Sequence, residues 1–76
     1  MANQELVEIL KQGAEGWNKW REESRITDID LLGAKLSGIN LKYANLVRAK
    51  FSGANLRGAD LSGSSRFAAD FEGAAL

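Results

Sequence analysis

The chain contains no cysteine, no histidine and no proline, and each absence removes a class of explanation. Without cysteine there are neither disulfides nor thiolate metal sites. Without histidine the commonest general base, the commonest metal ligand and the usual partner of a serine nucleophile are gone. Without proline nothing interrupts a hydrogen-bonded ladder. No apolar run approaches the length of a membrane span. The N-terminus carries Glu5 and Glu8 and lacks the basic-then-apolar order of a secretion signal. Charge of one sign is missing too. Ten basic residues face ten acidic ones, and residues 28–76 hold six basic against five acidic side chains. Such a balance is no lure for nucleic acid. The expectation is a single small cytoplasmic domain, with no cofactor and no nucleic-acid or membrane partner.

What is present is a repeat of five. A large apolar residue recurs at Leu31, Leu36, Leu41, Leu46, Phe51, Leu56 and Leu61, and returns at Phe71 and Leu76. Two residues earlier stands a small or branched apolar residue, from Ile29 and Ala34 to Ala69 and Ala74. Two residues later glycine dominates. On a helix a period of five would wind these side chains around the cylinder, and on a strand it would send them to alternate faces. The chain must therefore turn once per repeat, so that every apolar pair points at one common axis. That is a solenoid of stacked coils.

Residues 1–27 follow a different rule. Leu6, Leu10, Gly13, Trp17 and Trp20 fall at three- and four-residue spacing, with Ile9 alongside, which predicts one amphipathic helix from about Gln4 to Glu22 or Glu23. Asn3 suits the N-cap. An uncovered first coil would expose its core and its edge amides. Leu6, Leu10, Trp17 and Trp20 are therefore read as a cap on that coil, in preference to a stacking site for a base or ligand.

The segments Ala34-Lys35-Leu36-Ser37-Gly38, Ala54-Asn55-Leu56-Arg57-Gly58 and Ala59-Asp60-Leu61-Ser62-Gly63 resemble the A(D/N)LXX motif of the pentapeptide-repeat family. The resemblance covers about two thirds of the chain. It implies an all-β solenoid, a right-handed quadrilateral β-helix with four repeats to a square coil of twenty residues. Residues 1–27 would supply the N-terminal capping helix and join. Residues 28–76 would supply about two and a half coils, with the central leucine or phenylalanine and the residue two before it pointing inward.

A period of twenty also organises the residues on its own. It places Phe51 over Leu31 and Phe71 over Phe51. It stacks Asp30, Lys50 and Asp70 as an acid–base–acid ladder and sets Asp28 beneath Arg48, with neighbouring coils about 4.8 Å apart. One repeat departs from the pattern. Arg66 occupies an inward central position, above Ile26 and Leu46, where an unpaired guanidinium would be very costly. Either Arg66 snorkels over an open edge as the topmost member of its column, or the backbone bulges and Phe67 turns inward. Phenylalanine fits the column, which favours the bulge. Anion binding by Arg66 ranks below both.

No catalytic set emerges. Asp30 and Asp70 lie two coils apart with Lys50 between them. Ser37, Ser52 and Ser62 sit outward with no base to activate them. No phosphate-cradling or EF-hand spacing occurs. The reading is a module that is not an enzyme, with no catalytic, cofactor or metal residues. If Phe67 stays outward, it joins Tyr43 and Val47 in a small apolar patch and marks a partner surface.

Three functions compete. The first is a protein-interaction or scaffold module whose partners the residues do not name. The second follows from the family resemblance: some relatives imitate DNA and inhibit DNA gyrase. That needs a long acidic rod, whereas this array spans roughly 12 Å of stacked strands and is nearly neutral. The third is a capped fragment of a longer protein. The uncovered last coil, with Phe71 and Leu76, also implies end-to-end homodimers through the C-terminal edge, an arrangement the resemblance favours.

Overall fold

A computed structural model describes residues 2–76. Two helices open the chain, α1 (Gln4–Lys11) and α2 (Ala14–Ser24). Everything after Asp28 is built from turns and single-residue bridges, apart from the two-residue strands β1 (Ile29–Asp30) and β2 (Ala49–Lys50).

The single helix expected from about Gln4 to Glu22 or Glu23 is in fact two. Gly13 lies at φ +114°, ψ 165°, a conformation that a side-chain-bearing residue rarely adopts. The first helix closes at Gln12, whose N–H reaches Ile9 O. The second opens with Trp17 N–H on Gly13 O. The break redirects the apolar stripe, so that Leu6, Val7 and Leu10 from α1 and Trp17 from α2 all enter one buried cluster. Nothing lies within 4 Å of where a Cβ would stand on Gly13 or Gly16. Neither glycine serves a close approach, and Gly13 is there for its dihedrals. As expected, Asn3 caps α1, its side chain accepting from Glu5 N–H at 2.9 Å. Asn3 N–H itself donates to Asp30 O at 3.0 Å and ties α1 to β1.

The period of twenty appears directly in the backbone pairing. β1 and β2 pair in parallel with Ile29 opposite Ala49 and Asp30 opposite Lys50. Further parallel bridges join Lys35 to Asn55, Asn40 to Asp60, Asn45 to Ser65, Lys50 to Asp70 and Asn55 to Ala75. Each repeat turns through four residues closed by an i+3 to i bond, as from Ala34 N–H to Leu31 O at 3.2 Å. The third residue of each turn lies between φ +60° and +75°, as a type II turn requires. Tyr43, Arg48 and Ala68 hold that position without being glycine, a local strain of roughly 1–2 kcal/mol each.

The polar residue of the motif has a local task that its outward position does not reveal. Asp30, Asn40, Asn45, Asn55, Asp60 and Asp70 each accept, through Oδ1, the N–H two residues on. The side chain thereby closes the entry to the turn, which explains why Asp and Asn recur there. It also corrects the expected charge ladder. Asp30, Lys50 and Asp70 do stack in register, but both carboxylates are engaged with their own turns. Lys50 Nζ goes instead to Asp28 Oδ1 at 3.0 Å, the one ion pair among the described residues. Asp28 therefore does not pair with Arg48.

The core runs down the centre of the array. Ile29, Leu31, Ala34, Leu36, Leu41, Ala44, Leu46, Ala49, Phe51, Ala54 and Leu56 are buried. Burial then fades: Leu61 and Phe71 are only partly covered. The Phe51 and Phe71 rings stack at 5.1 Å and 5°. Leu76 is 74% exposed and is not part of the core, because it is the top of the Leu36–Leu56 column with no coil above it.

Candidate interaction surface

The face that carries residues 43–48 and 63–68 has its lower edge closed by side chains. Where one coil lies beneath another it donates to the coil above, as Leu31 N–H does to Lys50 O and Gly33 N–H to Ser52 O. Residues 25–28 would do the same beneath 45–48 if they kept register. They do not. Ile26 is 47% exposed, so it is not the base of the Leu46 column. Side chains of α2 take over the bonding. Trp17 Nε1 and Arg21 Nη1 donate to Asn45 O at 2.7 and 3.0 Å. Arg21 Nη2 donates to Val47 O at 3.0 Å. Asn18 accepts from Asn45 N–H at 2.6 Å and donates to Tyr43 O at 2.9 Å. Three side chains from adjoining turns of one helix thus stand in for a missing strand. Partial burial lowers the pKa of the Arg21 guanidinium by desolvation, yet its two carbonyl partners suit a charged donor. Trp20, half-buried, leans on Trp17 with ring centroids 5.1 Å apart and planes tilted by 32°.

The repeat around Arg66 keeps the regular register. Ser65 N–H reaches Ala44 O, Arg48 N–H reaches Phe67 O and Asp70 N–H reaches Ala49 O. There is no bulge, and the preference for an inward Phe67 is overturned. Arg66 is exposed as the last member of its column, where a charged head meets water without leaving the ladder. Ser64 takes the small inward position, its hydroxyl donating to Leu61 O at 2.7 Å.

Phe67 consequently points out and is 73% exposed. It stands one coil above Val47, which is partly exposed. Tyr43, 70% exposed, lies at the preceding corner. Its ring passes directly over Gly63, where a Cβ would come within 2.5 Å of Cδ1. Gly63 is needed there twice, for its positive φ and for the room it leaves the ring. Beside this patch, a groove of about 720 Å³ separates the end of α2 and the join from Tyr43, Asn45 and Val47.

Among the described residues no three acidic side chains gather closely enough to hold a metal ion. Hydrogen bonds from the Ser62 hydroxyl and backbone N–H hold the Asp60 carboxyl below its usual range, and it lies at a turn in open solvent. No helix among the described residues is long and apolar enough to cross a membrane.

The family model for pentapeptide repeats matches residues 26–65, in eight copies. The chain belongs to the pentapeptide-repeat family. The match spans more than half of the sequence, and the bridge from Asn55 to Ala75 carries the same register beyond it. Among curated proteins and among solved structures nothing matches the chain significantly. The pentapeptide motif locates the inward leucines, and its Asx position is the signal for the turn-capping bonds. The substitution of α2 side chains for a coil has no motif to announce it.

Proposed function

We propose that this chain is a non-catalytic pentapeptide-repeat module that binds another protein, with Tyr43, Val47 and Phe67 as the contact face. The observation that carries this is the exposure of two aromatic rings on one face of an array whose other outward positions are mostly polar. Exposed aromatics of this kind are the usual anchors of interfaces. The array that presents them is best understood as a right-handed quadrilateral β-helix of about two and a half coils. Four turns fall between Leu31 and Phe51, and the bridges repeat every twenty residues, which supports a square coil. Residues 1–27 form the cap and join of that unit, and the cytoplasm is its compartment.

The test is photo-crosslinking from position 67 in the source cells, with a benzophenone side chain in place of Phe67. A discrete crosslinked protein, lost when Tyr43 is changed to Ser, is the expected result. Crosslinking to no protein, or equally from an outward control position such as Lys35, sinks the reading.

A second reading has its own observation. At the C-terminal edge the N–H groups of Leu61, Gly63, Arg66, Ala68, Phe71 and Gly73 have no partner among the described residues, and Leu76 is exposed beside them. Such an edge favours end-to-end pairing of two copies. Sedimentation of a clean monomer at high concentration would count against it.

A further inference from the structure

The groove beside the patch exists because the join leaves the ladder. β1 pairs with β2 from Ile29 onward, whereas residues 25–28 lie in no helix, strand or turn. Arg25, at φ 57°, ends α2 in the left-handed conformation, and Ile26 N–H folds back to Ser24 Oγ at 3.3 Å. Beyond that the join is unpaired. The N–H groups of Thr27 and Asp28 and the carbonyls of Ile26 and Thr27 have no partner among the described residues. The coil edge opposite has been closed by Trp17, Asn18 and Arg21, so it cannot satisfy them. An unpaired stretch of backbone thus adjoins a parallel ladder and a groove with apolar walls at Ile26, Tyr43 and Val47.

Basic side chains outnumber acidic ones around it. Segments 43–49 and 63–69 contain no acidic residue, and they contribute Arg48 and Arg66. Arg25 adds a third cation from the join, and none of the three is buried. None of them is in an ion pair, since the one pair among the described residues is Lys50 with Asp28. That pair neutralises one nearby carboxylate and leaves Glu22 as the acidic residue of the groove wall.

We infer that this groove takes an extended acidic peptide segment of a partner protein, which adds as a strand to residues 26–28. Backbone bonds to the join supply register. Ile26, Tyr43 and Val47 cover its apolar side chains, and Arg25, Arg48 and Arg66 select its carboxylates. This deepens the protein-binding reading and rests on it.

The experiment uses the full chain, labelled with ¹⁵N, and two probe peptides of about eight residues. One alternates leucine with aspartate and the other leucine with lysine, both with blocked ends. The aspartate peptide is expected to shift the Thr27 and Asp28 amides saturably and to slow their exchange with solvent. The lysine peptide is expected to bind at least about tenfold more weakly, a difference of about 1.4 kcal/mol. In the doubly substituted chain Arg25→Glu, Arg66→Glu the order of the two peptides should invert. Both positions are exposed, and a dispersed spectrum verifies that the variant is folded. Equal affinities for the two peptides, or no saturable shift at Thr27 and Asp28, overturn the inference. Shifts of those amides on dilution of the protein alone would assign the groove to a second copy and also overturn it. If the peptides fail while crosslinking from position 67 persists, only the strand-addition inference falls. If both fail, the protein-binding reading falls with it.

Discussion

The two ends of the repeat array show what a coil needs and what it can do without. At the N-terminal end α1 and α2 cover the first coil, and its inward leucines are buried. At the C-terminal end the same columns finish uncovered. Leu36 and Leu56 are buried but Leu76 above them is exposed, and Leu41 is buried but Leu61 only partly. Leu46 is buried and the next residue up its column is Arg66. Position within the repeat therefore sets which way a side chain points, but position within the stack sets whether it is buried. The capped end also shows that a strand's hydrogen bonds can be met without a strand. Trp17, Asn18 and Arg21 reach the Asn45 and Val47 backbone that a preceding coil would otherwise serve.

The largest consequence is an asymmetry in stability. A domain of this size has roughly 4–11 kcal/mol to lose. Trp17 is fully buried and bonded through Nε1, so Trp17→Ala should cost about 3–5 kcal/mol. Phe71, half-covered and stacked on one ring, should cost only about 1–2 kcal/mol when changed to alanine. Urea denaturation of the two variants measures both. Equal losses would mean that the ends are equivalent and that the cap is not what secures the fold.

A finer comparison sets one arginine against another. Arg21→Met keeps an unbranched stem but removes the donors to Asn45 O and Val47 O. Val47 O then has no partner, and the expected loss is about 1 kcal/mol, with faster hydrogen exchange of the neighbouring ladder amides. Arg66→Met at the open end should change stability by less than about 0.5 kcal/mol. A larger effect at Arg66 than at Arg21 would show that the uncovered column is packed in solution, as an end-to-end dimer would pack it.

Much of this architecture is legible in the residues, and the failures share one cause. The periods of five and twenty can be read because each repeat restates the same inward pair, so the register from Ile29–Ala49 to Asn55–Ala75 follows from counting. What counting does not supply is competition between neighbours. By spacing alone Gly13 is a weak helical residue within a continuous stripe. It is a break because its backbone takes φ +114°, ψ 165°, and the two helices on either side still deliver Leu10 and Trp17 to one core. By stacking alone Asp30 and Asp70 are free to pair with Lys50, but each accepts from its own turn amide and Lys50 pairs with Asp28. By hydrophobicity alone Phe67 is a better core residue than Arg66. At the top of a column, however, an inward position is a solvent position, and the ladder bonds of Ser65, Arg48 and Asp70 favour the unbroken register over one more buried ring. The patch of Tyr43, Val47 and Phe67 is visible in the sequence only as a conditional, because its exposure depends on that outcome.

The smallest effect isolates the turn cap from the stack. Asp60 lies in the upper, less covered part of the array, where it accepts from both the hydroxyl and the N–H of Ser62. These bonds, the hydroxyl's above all, hold its pKa below the ordinary aspartate value, with a smaller contribution from the Lys42 charge. A carboxyl whose pKa is depressed by folding stabilises the folded state above its unfolded pKa, and that contribution is lost as pH falls through the folded value. Ser62→Ala removes the largest cause, so the Asp60 midpoint followed by NMR should rise toward the ordinary aspartate value. The acid side of the stability profile should flatten slightly. Neither change should reach Trp17 at the capped end, because the bonds are local to one turn. If Ser62→Ala instead altered the exchange of the α2-bonded Asn45 amide, the two ends would be coupled through the stack, and the caps of individual turns would have to be counted as part of what holds the coils in register.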